Sequence, residues 1–415
     1  MDAKLRRKLE RLGVVKGLRE VKASPPPKPP LHQEKQTTTL PGETVDTPYG
    51  PTWVIKRHYP TAYQHGRYAL SETDTLTPEA LMLLGDAKLG AHPAFLDTET
   101  TGLAGGTGTL AFLTGIGLWD TAGLHLHQIF LRDPGEERAA MHYIDELLAQ
   151  ASSLLTFNGQ SFDLPLLENR FILQRTPPRW RGLPHLDLLL VARLLWRDHL
   201  PSRRLGFLET ELLGIERTQE DLPSWMIPSA YRLYLETGVT NEMIRILYHN
   251  EIDILSLVTL LTHAARLAET PETMRAAAAE WIGVGRLYQK AGHEEKAQAA
   301  WQRALEEDTL PPDTAERLWR KIGQQHKHAQ AWEKALRTWE HWAARIPWTT
   351  EPLVERAKYY EWVEHDLEAA LDATQIALAR IDTRPPNFNR QLQRNELQHR
   401  QARLLRKLKR QAQVR

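Results

Sequence analysis

Three apolar runs form the clearest pattern in the first half of the chain. They occupy residues 94–97, 110–119 and 124–131, and short turns separate the last two runs. This arrangement predicts an antiparallel meander with Asp97 on its first strand. Further strands are predicted before and after the meander, at 53–59 and 154–157.

Helical spacing of apolar residues appears between and after these strands. It predicts helices at 78–85, 136–151, after Ser161, in two segments within 184–214, and at 241–267. Strands that alternate with helices in this way predict an α/β domain over residues 50–267.

After residue 267 no strand pattern appears, and tryptophans and glycines recur 38 residues apart. The first copy has Trp281, Gly285 and Trp301, and the second has Trp319, Gly323 and Trp339. The spacing resembles tetratricopeptide repeats, with a weaker third copy around Ala357 and Ala377. We expect an all-α repeat domain of three helical hairpins over 268–387, although an irregular helical bundle would show similar spacing.

Both ends of the chain are basic, whereas its net charge is only +1. Residues 1–22 hold eight Lys or Arg against three acids and have the spacing of a helix, and a Pro-rich linker is predicted at 23–49. Residues 380–415 hold eleven against two, and a basic helix is predicted at 388–415. Basic ends would suit a polyanion such as nucleic acid, or they are solvated helix faces.

The chain has no cysteine, which excludes disulfides, thiolate metal sites and cysteine nucleophiles. Neither an apolar signal region nor an apolar stretch of about 18 residues occurs. These features favour a cytoplasmic protein that has no membrane-spanning segment.

Asp97 and Glu99 stand at the end of the first apolar run, in the sequence F-L-D-T-E-T-T-G. Alternate residues of a strand share a face, so the two carboxylates point the same way. Their repulsion is relieved when a hard divalent cation such as Mg²⁺ or Mn²⁺ lies between them. The pattern is short, and two solvated acids at a strand end are the alternative interpretation.

Three further acids and one histidine accompany this pair. Asp163 falls in the first turn of a helix that Ser161 can cap, and Asp187 is another ligand, a helix-start acid or an ion-pair partner. His249 and Asp253 are four residues apart on the long helix, so they share one helical face.

Together these pieces resemble the DEDD, or DnaQ-like, superfamily of 3'-5' exonucleases, and within it the YprB-type subfamily. The resemblance rests on F-L-D-T-E-T-T-G-L-A-G-G-T-G-T at 95–109, L-T-F-N-G-Q-S-F-D-L-P-L-L at 155–167 and Y-H-N-E-I-D-I-L-S-L at 248–257. It implies a ribonuclease-H-like mixed sheet flanked by helices, over roughly residues 50–265.

By position in these motifs, the resemblance implies a catalytic set of four metal ligands, Asp97, Glu99, Asp163 and Asp253, which hold two Mg²⁺ or Mn²⁺ ions. His249 would be the general base, because an ordinary histidine takes up a proton near neutral pH. Tyr248 is the alternative base, since His249 has one residue fewer before Asp253 than the histidine branch usually has. Substrate binding is assigned to Thr100, Gly102, Gly105, Gly106, Asn158 and Phe162.

The resemblance thus implies a metal-dependent 3'-5' exonuclease that hydrolyses nucleic acid, with DNA favoured over RNA and a role in DNA repair. A protein partner such as a helicase would bind the repeat domain. Endonuclease or RNA-directed activity on the same scaffold is one alternative. A non-catalytic nucleic-acid or protein adaptor is another.

Overall fold

The computed structural model describes residues 39–85, 89–102, 108–175, 177–218, 222–307, 309–383 and 388–414. The predicted basic helix at 1–22 and the predicted linker up to residue 38 lie outside these ranges. The last part of that linker belongs to the sheet, because Glu43–Thr47 forms a strand paired with the next one.

In the described residues, seven strands form one mixed sheet and two short strands form a separate hairpin. The strands are β1 (Glu43–Thr47), β2 (Gly50–Pro60), β3 (Gln64–His65), β4 (Tyr68–Ala69), β5 (Pro93–Thr100), β6 (Ala111–Asp120), β7 (Gly123–Phe130), β8 (Ser153–Thr156) and β9 (His185–Asp187). Their order in the sheet is β1-β2-β7-β6-β5-β8-β9, and the parallel pairs of neighbours are β5 with β8 and β8 with β9, whereas the other neighbours are antiparallel. The predicted meander is confirmed as β5, β6 and β7.

Strand β9 lies where the sequence predicts the start of a helix. Its three residues pair with β8, and Leu186 stands opposite Leu155 on the buried sheet. A strand of three residues is too short to show an alternating pattern, so its leucine merges with the stripe of the helix that follows. The helical prediction over 184–214 is therefore wrong for residues 185–187.

The helices of the first part are α1 (Pro78–Leu84), α2 (Glu137–Leu148), α3 (Asp163–Leu173), α4 (Leu188–Leu195), α5 (Leu205–Leu208), α6 (Ile227–Thr237) and α7 (Asn241–Glu269). Leu70–Thr75 adds a 3-10 turn, and Glu209–Leu213 extends α5 as a π-helical turn. Helix α6 is not predicted by the sequence. Within the described ranges, no helix is both long and apolar enough to cross a membrane.

Helix α7 packs across one face of the sheet, and the buried residues around the sheet form two clusters. Phe95 of β5 faces the side where Ile254 and Leu257 of α7 are buried. Leu96, the next residue of β5, faces the opposite core, which contains Ile144 of α2. This alternation directs Asp97 and Glu99 to the side of Phe95, toward α7.

The helices of the second part are α8 (Ala278–Lys290), α9 (Glu294–Glu306), α10 (Pro312–His328), α11 (Trp332–Arg345), α12 (Glu351–Tyr359), α13 (Leu367–Asp382) and α14 (Phe388–Val414). A π-helical turn, Tyr360–Glu364, continues α12. The all-helical prediction for this part of the chain is confirmed, whereas its assignment to tetratricopeptide repeats stays a prediction.

The 38-residue spacing corresponds to a repeated contact between paired helices. A Cβ atom added to Gly285 would lie 2.2 Å from Trp301 Nε1, and one added to Gly323 would lie 2.7 Å from Trp339 Nε1. In these two hairpins, glycine on the first helix therefore admits the indole of the second helix. Glu361 occupies the equivalent position of the third hairpin.

The buried Glu361 carboxylate holds the basic helix α14 in place. Arg400 and Lys407 of α14 lie 3.2 Å and 2.7 Å from its two oxygens, and Arg403 pairs with it as well. Three basic side chains of this helix therefore anchor it to one buried carboxylate of the fold.

The two parts of the chain share one core. Leu257 and Leu260 of α7 belong to the same buried cluster as Trp281, Val284 and Trp301 of the helical part. The predicted boundary at residue 267 falls inside α7. The helical part is therefore packed directly on the α/β part.

Gly283→Ala tests this packing. The added methyl group would lie 2.0 Å from the Leu195 carbonyl oxygen, so α8 has to move away from α4. We expect the free energy of unfolding, measured in urea, to fall by about 1–3 kcal/mol. Gly206→Ala is the control, because its nearest neighbour is 3.8 Å away. Equal stability of both variants would contradict the close packing.

Candidate active site

Asp97 and Glu99 lie where the regular pairing of β5 with β6 ends. Asp97 stands opposite Gly115 and Glu99 opposite Leu113, and the register shifts between Glu99 and Thr100. An irregularity at this point ends the ladder next to the two acids, as bulges near active sites often do. The carboxylates lie on one face of β5, as the sequence predicts.

A buried amide pair orients Asp97. Asn250 Nδ2 donates to Asp97 Oδ2 at 2.9 Å, and Gln128 Nε2 donates to Asn250 Oδ1 at 3.0 Å and to the Leu247 carbonyl at 2.7 Å. Both amide residues are completely buried. A Cβ atom on Gly115 would lie 2.3 Å from Asn250 Oδ1, so this strand position requires glycine. Sequence reasoning missed these three residues, although Asn250 stands inside the motif Y-H-N-E-I-D.

Asp163 is fixed against the same strand. It is the first residue of α3, and its Oδ1 accepts hydrogen bonds from Thr98 N at 3.1 Å and Thr98 Oγ1 at 2.5 Å. Burial raises the pKa of Asp163 to about 6, and the bonds from Thr98 oppose this shift. The residue between Asp97 and Glu99 therefore connects them to Asp163.

Helix α7 brings the remaining two predicted groups to the cluster. His249 Nε2 lies 3.6 Å from Glu99 Oε1 and 3.6 Å from Asp253 Oδ2. The ring is nine-tenths buried and stands between the strand acid and the helix acid. The predicted base thus lies at the edge of the carboxylate cluster.

The carboxylates of this cluster repel one another strongly. Burial and the charges of Asp253, Glu99 and Asp163 raise the pKa of Asp97 well above its usual value. Burial raises the pKa of Glu99 to about 8; the nearby His249 opposes the shift, and the charges of Asp253 and Asp163 add to it. A divalent cation bound here would relieve this repulsion.

Arg217, which the sequence does not single out, supplies a positive charge at one side of the cluster. Its Nε and Nη2 donate to the two oxygens of buried Glu209 at 2.6 Å and 2.7 Å, and Nη2 also donates to Asp253. Its Nη1 lies 2.9 Å from His249 Nδ1. Because arginine only donates, His249 Nδ1 accepts here, and the neutral ring carries its hydrogen on Nε2.

The structure places the other predicted residues differently. Asn158 lines a cleft together with Asp97. Thr100 Oγ1 donates a hydrogen bond to the Gly102 carbonyl at 2.9 Å. Phe162 is about one-third exposed and is not among the cleft-lining residues, and Tyr248 lies near Tyr63 instead of in the cleft. Gly105 and Gly106 lie outside the described residues.

The Asp187 carboxylate has a structural role in the turn before Asp163 and at the start of α4. It accepts from Leu189 N at the start of α4, and from Asn158 N and Gln160 N at 2.8 Å and 3.1 Å. It therefore caps α4 and fixes the turn that precedes Asp163, which is the helix-start role weighed for it in the sequence.

The donor chemistry of the cluster fits hard divalent ions, which prefer carboxylate oxygens. Across the described residues, no three His, Asp or Glu side chains are already spaced to hold a metal ion. Asp253 is paired with Arg217, and Asp163 with Thr98. Metal binding would require Asp253 to loosen its pair with Arg217, whereas Asp163 accepts from Thr98 through Oδ1 and has Oδ2 for an ion.

Comparison with known proteins agrees with this geometry. Residues 94–265 match the RNase_H superfamily. The matched segment begins in β5 and ends in α7, so this RNase H-like domain contains the whole cluster, and the expected mixed-sheet fold is confirmed. The uncharacterized protein YprB of Bacillus subtilis (strain 168) is 34% identical over 220 residues, which cover 50% of this chain and 52% of that protein. The chain therefore spans about half the length of this relative.

The Arg217–Glu209 pair generates a prediction about stability. Arg217→Gln leaves the Glu209 carboxylate, which is only 1% exposed, without its compensating charge. We expect the free energy of unfolding to fall by about 3–5 kcal/mol, and the double variant Arg217→Gln/Glu209→Gln to recover most of this loss. Urea unfolding measures both effects.

Arg132→Gln provides the control, because its pair with Glu136 is more exposed and should contribute less than about 1 kcal/mol. A double variant as unstable as the sum of its single changes would contradict the pairing.

Proposed function

We propose that the protein is a divalent-metal-dependent 3'-5' exonuclease of the DEDD type that hydrolyses nucleic acid, with DNA favoured over RNA. The observation that supports this proposal is the convergence of Asp97, Glu99, Asp163 and Asp253 with His249, next to a cleft that Asp97, His249 and Asp253 line. Four mutually repelling carboxylates are poorly suited to a merely structural role, because each raises the free energy of the others.

Two divalent ions bound by the four carboxylates would supply an activated water and stabilise the charge on the leaving oxygen. Asn250 keeps Asp97 oriented, and Thr98 keeps Asp163 against the strand. The water oxygen attacks the phosphorus of the terminal phosphodiester, and the bond to the 3' oxygen of the preceding sugar breaks. The products are a nucleoside 5'-monophosphate and a strand shorter by one nucleotide.

In this proposal His249 takes the proton of the attacking water at Nε2. Nε2 must then carry no hydrogen, so the hydrogen of the neutral ring has to be on Nδ1. Arg217 therefore has to leave its contact with Nδ1. The contact between Arg217 and His249 therefore describes a resting arrangement, which substrate binding changes.

The cellular role rests on the resemblance alone. We propose a cytoplasmic enzyme of DNA repair whose helical part, with its hairpins of tetratricopeptide type, binds a protein partner such as a helicase. Neither the partner nor the pathway is needed for the chemistry proposed above.

Asp97→Asn and Asp163→Asn should each abolish hydrolysis of labelled single-stranded DNA in Mn²⁺, since each removes a charge that binds the ions. Activity should fall by at least about 10³-fold while the melting temperature stays near that of the wild type. Asp120→Asn, which changes an exposed acid outside the site, is the matched control. End-blocked, circular and RNA substrates in the same assay separate exonuclease from endonuclease and RNA-directed activity. Unchanged hydrolysis by both site variants would refute the proposal.

The two candidate bases predict different effects of substitution. With histidine as base, His249→Gln should lower kcat by about 10²–10⁴-fold, because no other group takes the proton of the attacking water. Tyr248→Phe should retain activity close to that of the wild type, because Tyr248 lies outside the cleft. A large loss in Tyr248→Phe with little effect of His249→Gln would reverse the assignment.

A further inference from the structure

The cleft lined by Asp97, His249 and Asp253 also has basic residues in its wall. Its volume is about 1020 Å³, and its lining includes Arg193 of α4 and Arg203 and Arg204 of the segment that leads to α5. Among the described lining residues, apart from the carboxylate cluster and Arg217, these three arginines stand against one acid, Glu211.

These arginines lack the acidic partners that neutralise Arg217. Among the described residues, none of the three has a carboxylate within 4 Å, and the only side-chain bond is that of Arg203 Nη1 to the Leu200 carbonyl at 2.8 Å. Unpaired guanidinium groups that converge on a cleft are suited to phosphate oxygens, which they bind through charged hydrogen bonds.

The helical part of the chain holds this arginine-bearing segment in position. Trp196 Nε1 donates to Glu280 Oε1 at 3.1 Å, and Arg286 Nη1 donates to the Leu194 carbonyl at 2.8 Å. Arg286 also pairs with Asp198. The segment between α4 and α5 is therefore supported by α8, next to the cleft.

Positive charge continues from this segment onto the helical part. Asp198 is the shared acid of Arg286, Arg197 and Arg317, the last two at 4.0 Å. Arg197 and Arg317 are 62% and 61% exposed. One carboxylate cannot neutralise three guanidinium groups, and burial together with the charges of Arg197 and Arg317 lowers the pKa of Arg286 to about 10.

We propose that Arg193, Arg203 and Arg204 bind successive phosphates of a single nucleic-acid strand whose end lies at the carboxylates, and that Arg197 and Arg317 extend this phosphate track onto the helical part. This inference rests on the proposed function only for the position of the strand end. It assigns the helical part a direct contact with substrate, in addition to its packing on the RNase H-like domain.

A single strand suits this cleft better than a duplex or an acidic peptide. A volume near 1000 Å³ is at the upper end of pockets that enclose a small ligand, so it accommodates the end of one strand. Trp225 follows the cleft-lining Ser224 and is 76% exposed, which offers a surface on which a base can stack. Basic grooves with exposed aromatic rings are typical of single-strand binding.

The test measures binding separately from hydrolysis. Fluorescence anisotropy of labelled single strands of 4 and 20 nucleotides, in EDTA and at several salt concentrations, gives Kd and its salt dependence for the full chain. Arg193→Gln/Arg204→Gln should weaken binding of both strands by roughly tenfold or more and lower the salt slope by about 1.4, which is 0.7 for each lost phosphate contact. Arg317→Gln should weaken binding of the longer strand more than that of the shorter one.

Arg232→Gln is the matched control, because this exposed arginine of α6 is not among the cleft-lining residues. An unchanged Kd and salt slope in Arg193→Gln/Arg204→Gln would overturn the track. Equal affinity for duplex, or equally effective competition by polyglutamate, would overturn its assignment to a single strand.

Failure of the proposed function has a different signature. Arginine-dependent binding without metal-dependent hydrolysis of any substrate would refute the exonuclease and leave the track standing. Normal hydrolysis together with unaltered binding by the arginine variants would refute the track and leave the exonuclease standing.

Discussion

Repulsion among buried carboxylates is the constraint on which the rest of the site depends. Asp97, Glu99 and Asp163 come from a strand and a helix start, and Asp253 comes from α7, so the fold itself brings the four charges together. Burial then raises their electrostatic cost, because water no longer screens them. The fold offsets this cost with donors at fixed positions: Asn250 for Asp97 and Thr98 for Asp163.

Arg217 contacts both the acids and the proposed base of this site. It neutralises Glu209, binds Asp253 and occupies the ring nitrogen of His249 that faces away from the carboxylates. One side chain therefore stabilises the fold and fixes the resting state of the proposed base. Exchange of its contacts when metal and substrate bind would connect occupancy of the cleft to activation of His249.

Much of the carboxylate cluster was predictable because its members stand in short motifs at strand and helix ends. The register of β5 directs Asp97 and Glu99 to one face, and helical spacing does the same for His249 and Asp253. The family resemblance, and not the spacing, implied that the two pairs meet. Arg217 was not predictable, because it lies in an irregular segment without periodicity and reaches His249 from 32 residues away in the chain. The same holds for Gln128, whose contact with Asn250 depends on the packing of α7 against β7. Strand β9 was missed because three residues carry too little pattern, and the basic C-terminal helix suggested a polyanion although Glu361 binds three of its charges.

The most direct test of the proposed two-cation site is calorimetric titration of the full chain with Mn²⁺ at pH 7, in two buffers of different ionisation enthalpy. The account predicts saturable binding of two ions and release of protons, because burial and mutual repulsion raise the pKa of Asp97 and Glu99. Asp97→Asn should abolish this binding. Absence of saturable binding, or the same binding and proton release in Asp97→Asn, would contradict the account.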